Sequence, residues 1–122
     1  MRQLDVARNA RRDIDMLLWE SRSRHGARAA DRYRRLINAA FADLREEPSR
    51  PSANRFEATE LWLYALRSSA RRLAAVDRVS DPPHVIAYRF DDERVRIIRV
   101  LHEAMDLPRH LDLAASTDNG DR

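Results

Sequence analysis

The sequence predicts an α+β domain: an antiparallel α-helical hairpin packed on a small, mainly antiparallel β-sheet. Three observations predict it. Two helical stretches are separated by little more than Gly26, a connection short enough to force the helices side by side in opposite directions. Two β-rich runs, "HVIAYRF" and "RVRIIRVLH", are separated only by "DDE", which is the pattern of a tight hairpin. A short alternating segment at the N-terminus supplies a further strand.

Each element has its local reason. Met1–Ala7 alternates Leu4 and Val6 against Gln3 and Asp5, the period of a half-buried strand. Asn9 is the expected N-cap of the first helix, with Asp13 close enough to its start for the carboxylate to suit the dipole. Ala10, Ile14, Leu17 and Leu18 then recur at helical spacing up to Gly26, the expected stop. In the second helix Ala30, Tyr33, Ile37, Ala40, Phe41 and Leu44 form one apolar stripe, and Asp31 pairs forward with Arg35 on the wet side. Pro48 ends it, because the residue before a proline is pushed out of helical geometry.

"SRPSAN", residues 49–54, is a loop. The stretch that follows is ambiguous: its Ala, Leu and Glu content favours a helix, whereas the continuous run Leu61, Trp62, Leu63, Tyr64 suits a strand buried on both faces. Trp62 is expected in the core. Beyond it, the hairpin strands are His84–Phe90 and Arg94–His102. Strict alternation in the second puts Val95, Ile97 and Leu101 on one face and Ile98, Val100 and His102 on the other, so apolar material must cover both faces. Met105 and Leu107 are expected to fold back over the sheet, with Leu111 closing the turn. Residues 1–113 thus form one domain, and 114–122, small and polar, a C-terminal tail.

Composition narrows the function classes. The 122 residues contain no cysteine, which excludes a disulfide framework, a thiolate metal site and a Cys nucleophile. No apolar run of ~18 residues appears, and residues 1–8 lack the apolar core of a signal peptide, so a cytoplasmic location with no membrane contact is expected. All 23 basic residues are Arg, but 20 acids leave a formal charge of only +3. Binding to nucleic acid by charge alone is weakly supported, and an acidic protein partner fits an Arg-rich surface equally well. "HEAMD" starts like a zinc motif, but Asp106 stands where the second His is needed; no metal or other cofactor is expected.

The ordered set of motifs resembles the RelE/ParE superfamily of type II toxin–antitoxin toxins, in particular its ParE-like members. "RVLHEAMDLPRHL" is similar to the family's closing strand and tail, at Arg99, Val100, Leu101, His102, Met105 and Asp106. "PHVIAYRF" resembles its penultimate strand, with Tyr88 and Arg89, and "ARRDIDMLL" and "AADRYRRLINAAFADL" its opening hairpin. The resemblance covers roughly 4–111 and implies that the ambiguous stretch is a strand, Glu60–Arg67, with Ser68–Asp81 a long connection. It implies a growth-inhibiting toxin that poisons DNA gyrase and is neutralised by a ParD-like antitoxin in a hetero-oligomer.

The alternative within the superfamily is a ribosome-dependent mRNA endonuclease. Its candidate residues would be His102, Arg99 and His84, a base for the ribose hydroxyl and cations for the phosphate. Val85 stands where several nucleases carry Arg, and Glu103 where an aromatic residue often follows, so no catalytic residue is favoured. The resemblance further implies antitoxin contacts through Trp19, Arg67, Arg71, Arg72, Arg89 and Arg99, and target contacts through His102, Glu103, Met105 and Asp106. A non-toxic nucleic-acid-binding module ranks third, because the Arg residues of the hairpin scatter around both helices.

Overall fold

The computed structural model describes residues 1–57 and 59–120. The elements run β1 (Gln3–Val6), α1 (Arg8–His25), α2 (Ala27–Glu46), β2 (Asn54–Arg55), β3 (Trp62–Ala65), α3 (Arg67–Ala70), a 3₁₀ turn (Ala75–Asp77), β4 (His84–Phe90), β5 (Arg94–His102) and α4 (Leu107–Gly120). The five strands form one sheet in the order β1-β5-β4-β3-β2. β1 pairs parallel with β5, and every other pairing is antiparallel. The α+β hairpin-on-sheet architecture expected from sequence is the one observed.

The α1–α2 hairpin turns at Gly26, whose φ of 92° is open to glycine without the Cβ clash other residues meet. Its N–H also closes α1 onto the Arg22 carbonyl at 2.9 Å. Every member of the α2 stripe is buried, with Leu36 added, and the Asp31–Arg35 pair forms at 3.2 Å on the exposed side. One charge interrupts that face. Asp43 is 5% exposed, held by Ser69 and Arg72 of the segment after β3, while the Tyr64 hydroxyl bonds Ser69 in turn. A buried carboxylate survives only when paired in this way, and the network fastens α3 to α2.

Four local expectations are corrected. Helix α1 begins at Arg8 after Ala7, with no side-chain cap, so Asn9 is inside the helix. The strand expected over Glu60–Arg67 is limited to Trp62–Ala65, and Arg67 opens a short helix. In β5, Ala87 faces Arg99 while Tyr88 faces Ile97, so Ile98 is an extra residue. Such a bulge resets the alternation. Val95, Ile97 and then Val100 join the core under the hairpin, whereas Ile98 and Leu101 join the opposite cluster, the reverse of the expected sides for Val100 and Leu101.

The fourth correction concerns the C-terminus. α4 runs through Gly120, well into the stretch expected to be a tail, and Leu111 and Ala114 are buried against Leu61, Ala87, Ile98 and Leu101. The hairpin thus covers one sheet face and α4 part of the other. Leu107 packs on this second cluster, but Met105 is 37% exposed and does not close over it. Residues 121 and 122 of the expected tail lie outside the described residues. No helix among those described is long and apolar enough to cross a membrane.

Candidate functional site

The antiparallel register of β4 and β5 makes His84 and His102 direct partners across the strands. Their rings lie 5.3 Å apart at 78°. Tyr33, from the buried stripe of α2, meets His84 edge-on at 5.4 Å, and its hydroxyl shares a hydrogen bond with His84 Nδ1 at 2.5 Å. Burial, reinforced by the neighbouring His102, pushes the His84 pKa down to about 4, so this imidazole is neutral at pH 7. Burial likewise holds the Tyr33 hydroxyl above the ordinary tyrosine range. His102 uses its Nδ1 to accept the Ala104 N–H at 3.0 Å, and its carbonyl accepts the Met105 N–H. These bonds shape the turn that leaves β5.

The three rings form one wall of a cleft of about 490 Å³ between the hairpin turn and the segment leading into β4. Arg24, Arg32 and Arg78 also line it, together with Leu17 and Pro83. Among the described residues no group of three His, Asp or Glu side chains is placed to hold a metal ion.

The remaining candidates divide by what already holds them. Arg99 presents Nε and Nη2 to the two oxygens of Asp13, at 2.7 and 3.0 Å, and the same carboxylate accepts the Val100 N–H at 2.9 Å. Both side chains are largely buried, so Arg99 ties α1 to the bulge of β5. Arg72 is bound to Asp43 and to the Ala39 carbonyl. Arg67 meets Glu103 at 2.9 Å in a half-exposed pair, worth little in water. Arg89 lies half-buried on β4, Arg71 is exposed, and Trp19 is 65% exposed on α1. Trp62 is half-buried against Phe90. Asp106 precedes α4, and its Oδ1 accepts the Arg109 N–H, the geometry of an N-cap.

Of the sequence-derived candidates, His84 and His102 are brought together, whereas Arg99 is drawn away to Asp13. Sequence reasoning missed Tyr33 as a partner of His84, because its place in an apolar stripe marks it only as core. It also missed Asp13 as the partner of a residue 86 positions later; no local pattern connects the two.

A helical hairpin over a sheet whose first strand runs parallel to its last is the architecture that the sequence motifs led us to expect of a small RelE/ParE-type toxin. The family model described as "ParE toxin of type II toxin-antitoxin system, parDE" matches residues 4–107. Toxin ParE1 of Caulobacter vibrioides is 32% identical over 113 residues, spanning 91% of this chain and 99% of that protein. A chain of a structure described as the chromosomal ParDE TA system from P. aeruginosa superposes with a TM-score of 0.63 at 15% identity, over 84% of this chain and 96% of that one. The chain belongs to the ParE family of type II toxin–antitoxin toxins.

Proposed function

We propose that this toxin stops growth by trapping DNA gyrase on cleaved DNA, and that it does so as a binding surface rather than as a nuclease. The observation that carries this reading is the internal use of the would-be nuclease residues. His84 is neutral and bonded to Tyr33, His102 Nδ1 holds the Ala104 N–H, and Arg99 is locked in a fork on Asp13. An RNA-cleaving site needs a base free to take a proton and a cation free to meet the phosphate. Glu103 and Met105, exposed beyond β5, with the edge of His102, are the residues we assign to the target; Asp106 supports them by starting α4.

Neutralisation falls to a ParD-like antitoxin in a hetero-oligomer in the cytoplasm. With Arg72 and Arg99 engaged inside the fold, the contacts we assign to it narrow to Trp19, Arg67, Arg71 and the half-buried Arg89. An acidic segment could exchange for Glu103 at Arg67 at small cost, since that pair is half-exposed. Pulse-labelling tests the target. After induction of this chain alone in bacteria, thymidine incorporation should fall within minutes, before amino-acid incorporation. An earlier fall in protein synthesis would move the target to the ribosome and mRNA, and return His102 to a catalytic role.

A further inference from the structure

The cleft beside the hairpin turn carries a concentration of positive charge that neither the fold nor target poisoning uses. Residues 21–30, "SRSRHGARAA", contain Arg22, Arg24, Arg28 and His25 and no acid. Their formal charge equals the +3 of the entire chain; of them Arg24 and His25 line the cleft, joined there by Arg32 and Arg78.

Part of this has a local cause. Arg22, Arg24 and His25 lie in the last turn of α1, where cations offset the helix dipole. The same reasoning fails for α2. Its first turn carries no acid, and Arg28 and Arg32 sit near its N-terminus, where a cation is electrostatically disfavoured. Among the described residues Arg24 and Arg32 have no ion pair or side-chain hydrogen bond inside the chain. Arg78, in contrast, is fixed by the Leu73 and Arg71 carbonyls at 3.1 and 3.4 Å, which leaves its charge facing the cleft but uncompensated by any carboxylate bond. Among the described residues Glu20 is the one carboxylate of the lining.

The same cleft is lined by the rings of Tyr33, His84 and His102, which touch one another, and by Leu17 and Pro83. The volume, about 490 Å³, is that of a small-ligand pocket. We infer that this cleft is a phosphate-binding site of nucleotide size, in which Arg24 and Arg32 take the phosphate and the ring-lined wall takes the base and sugar. Guanidinium forks match phosphate oxygens in pairs, and the flat and apolar wall offers the second contact that separates a nucleotide from a bare anion. The phosphate can belong to a free nucleotide or to the phosphorylated end of a strand. The inference does not rest on the gyrase reading, because it concerns ligand binding by the isolated toxin; His102 alone borders both surfaces.

Calorimetric titration of the full chain at low salt tests it. The probes are inorganic phosphate, thymidine monophosphate, and a short single-stranded oligonucleotide with and without a 5′-phosphate. Thymidine monophosphate should bind at least about tenfold more tightly than inorganic phosphate, and the double change Arg24→Gln, Arg32→Gln should weaken it at least about tenfold. Arg94→Gln, an exposed charge outside this cleft, should not. Tighter binding of the oligonucleotide only when phosphorylated assigns the strand end, and equal binding of the mononucleotide assigns the free ligand. Amide shifts in the unaltered chain give a reading that needs no variant, and they should concentrate in residues 24–33 and 78–84. Absence of binding at millimolar ligand, equal affinity for inorganic phosphate, equal loss with Arg94→Gln, or shifts elsewhere would each overturn the inference.

Discussion

The carboxylate of Asp13 reaches from α1 to the bulge of β5 and takes three bonds there, two from Arg99 and one from the Val100 N–H. Its removal strands a largely buried guanidinium and a backbone donor together, so Asp13→Ala should cost about 3 kcal/mol of stability. Urea unfolding of Asp13→Ala, Arg99→Ala and the double variant measures this, and the double loss should be well short of the sum of the two. His84 carries the second residue-scale prediction. Its folded pKa of about 4 lies below the ordinary histidine value of 6.5, so on acidification the unfolded chain takes up this proton first. The contribution is fully present above pH 6.5 and is lost as pH falls toward 4. Urea midpoints measured across that range should decline, and His84→Gln should flatten the part due to this ring. These residue roles were hidden in the sequence. Asp13 stood near a helix start, where dipole compensation explained it locally, and its real partner is set by tertiary packing alone.

At the scale of elements, α4 is held to the sheet by few side chains. Leu111 is fully buried while Leu113, two residues on, is 58% exposed. Leu111→Ala should therefore cost about 2–4 kcal/mol, and Leu113→Ala no more than about 0.5 kcal/mol, with thermal unfolding as the measure. Other elements show why some boundaries were legible. β4 and β5 match the sequence reading residue for residue because β-rich composition and a three-residue turn are local signals. The hairpin is nearly as clear, since an apolar stripe and one Gly define it. α4 was not legible beyond Leu111: Ala114 and Ala115 are small, and the polar residues around them imitate a tail. The bulge at Ile98 is invisible because apolar residues come in adjacent pairs on either side of Arg99, Ile97 with Ile98 and Val100 with Leu101, so either side assignment satisfies the pattern. β3 was chosen by resemblance, since "LWLYALR" suits helix and strand alike, and its true span is shorter than the family implied.

The whole molecule is a sheet with unlike faces, one under the hairpin and the other partly under α4. The fold spends its most chemically capable side chains on joining these layers: Arg99 and Asp13 link α1 to β5, Asp43 and Ser69 link α2 to α3, and Tyr33 links α2 to His84. What it leaves exposed includes Trp19, Arg71, half of Arg67 and the residues just after His102, the surfaces we propose for its partners. The family and the fold were readable in the sequence because ordered motifs persist over most of the chain. The target was not, because a contact surface leaves no spacing to recognise. The central claim is tested most directly with purified components: this chain, gyrase, supercoiled plasmid and ATP, followed by denaturation and protease treatment of the reaction. Accumulation of linear, protein-linked plasmid is expected to rise with toxin, to persist with His84→Gln and to disappear when antitoxin is added. Unchanged supercoiling with no cleaved plasmid, or an effect abolished by His84→Gln in a folded protein, would contradict it.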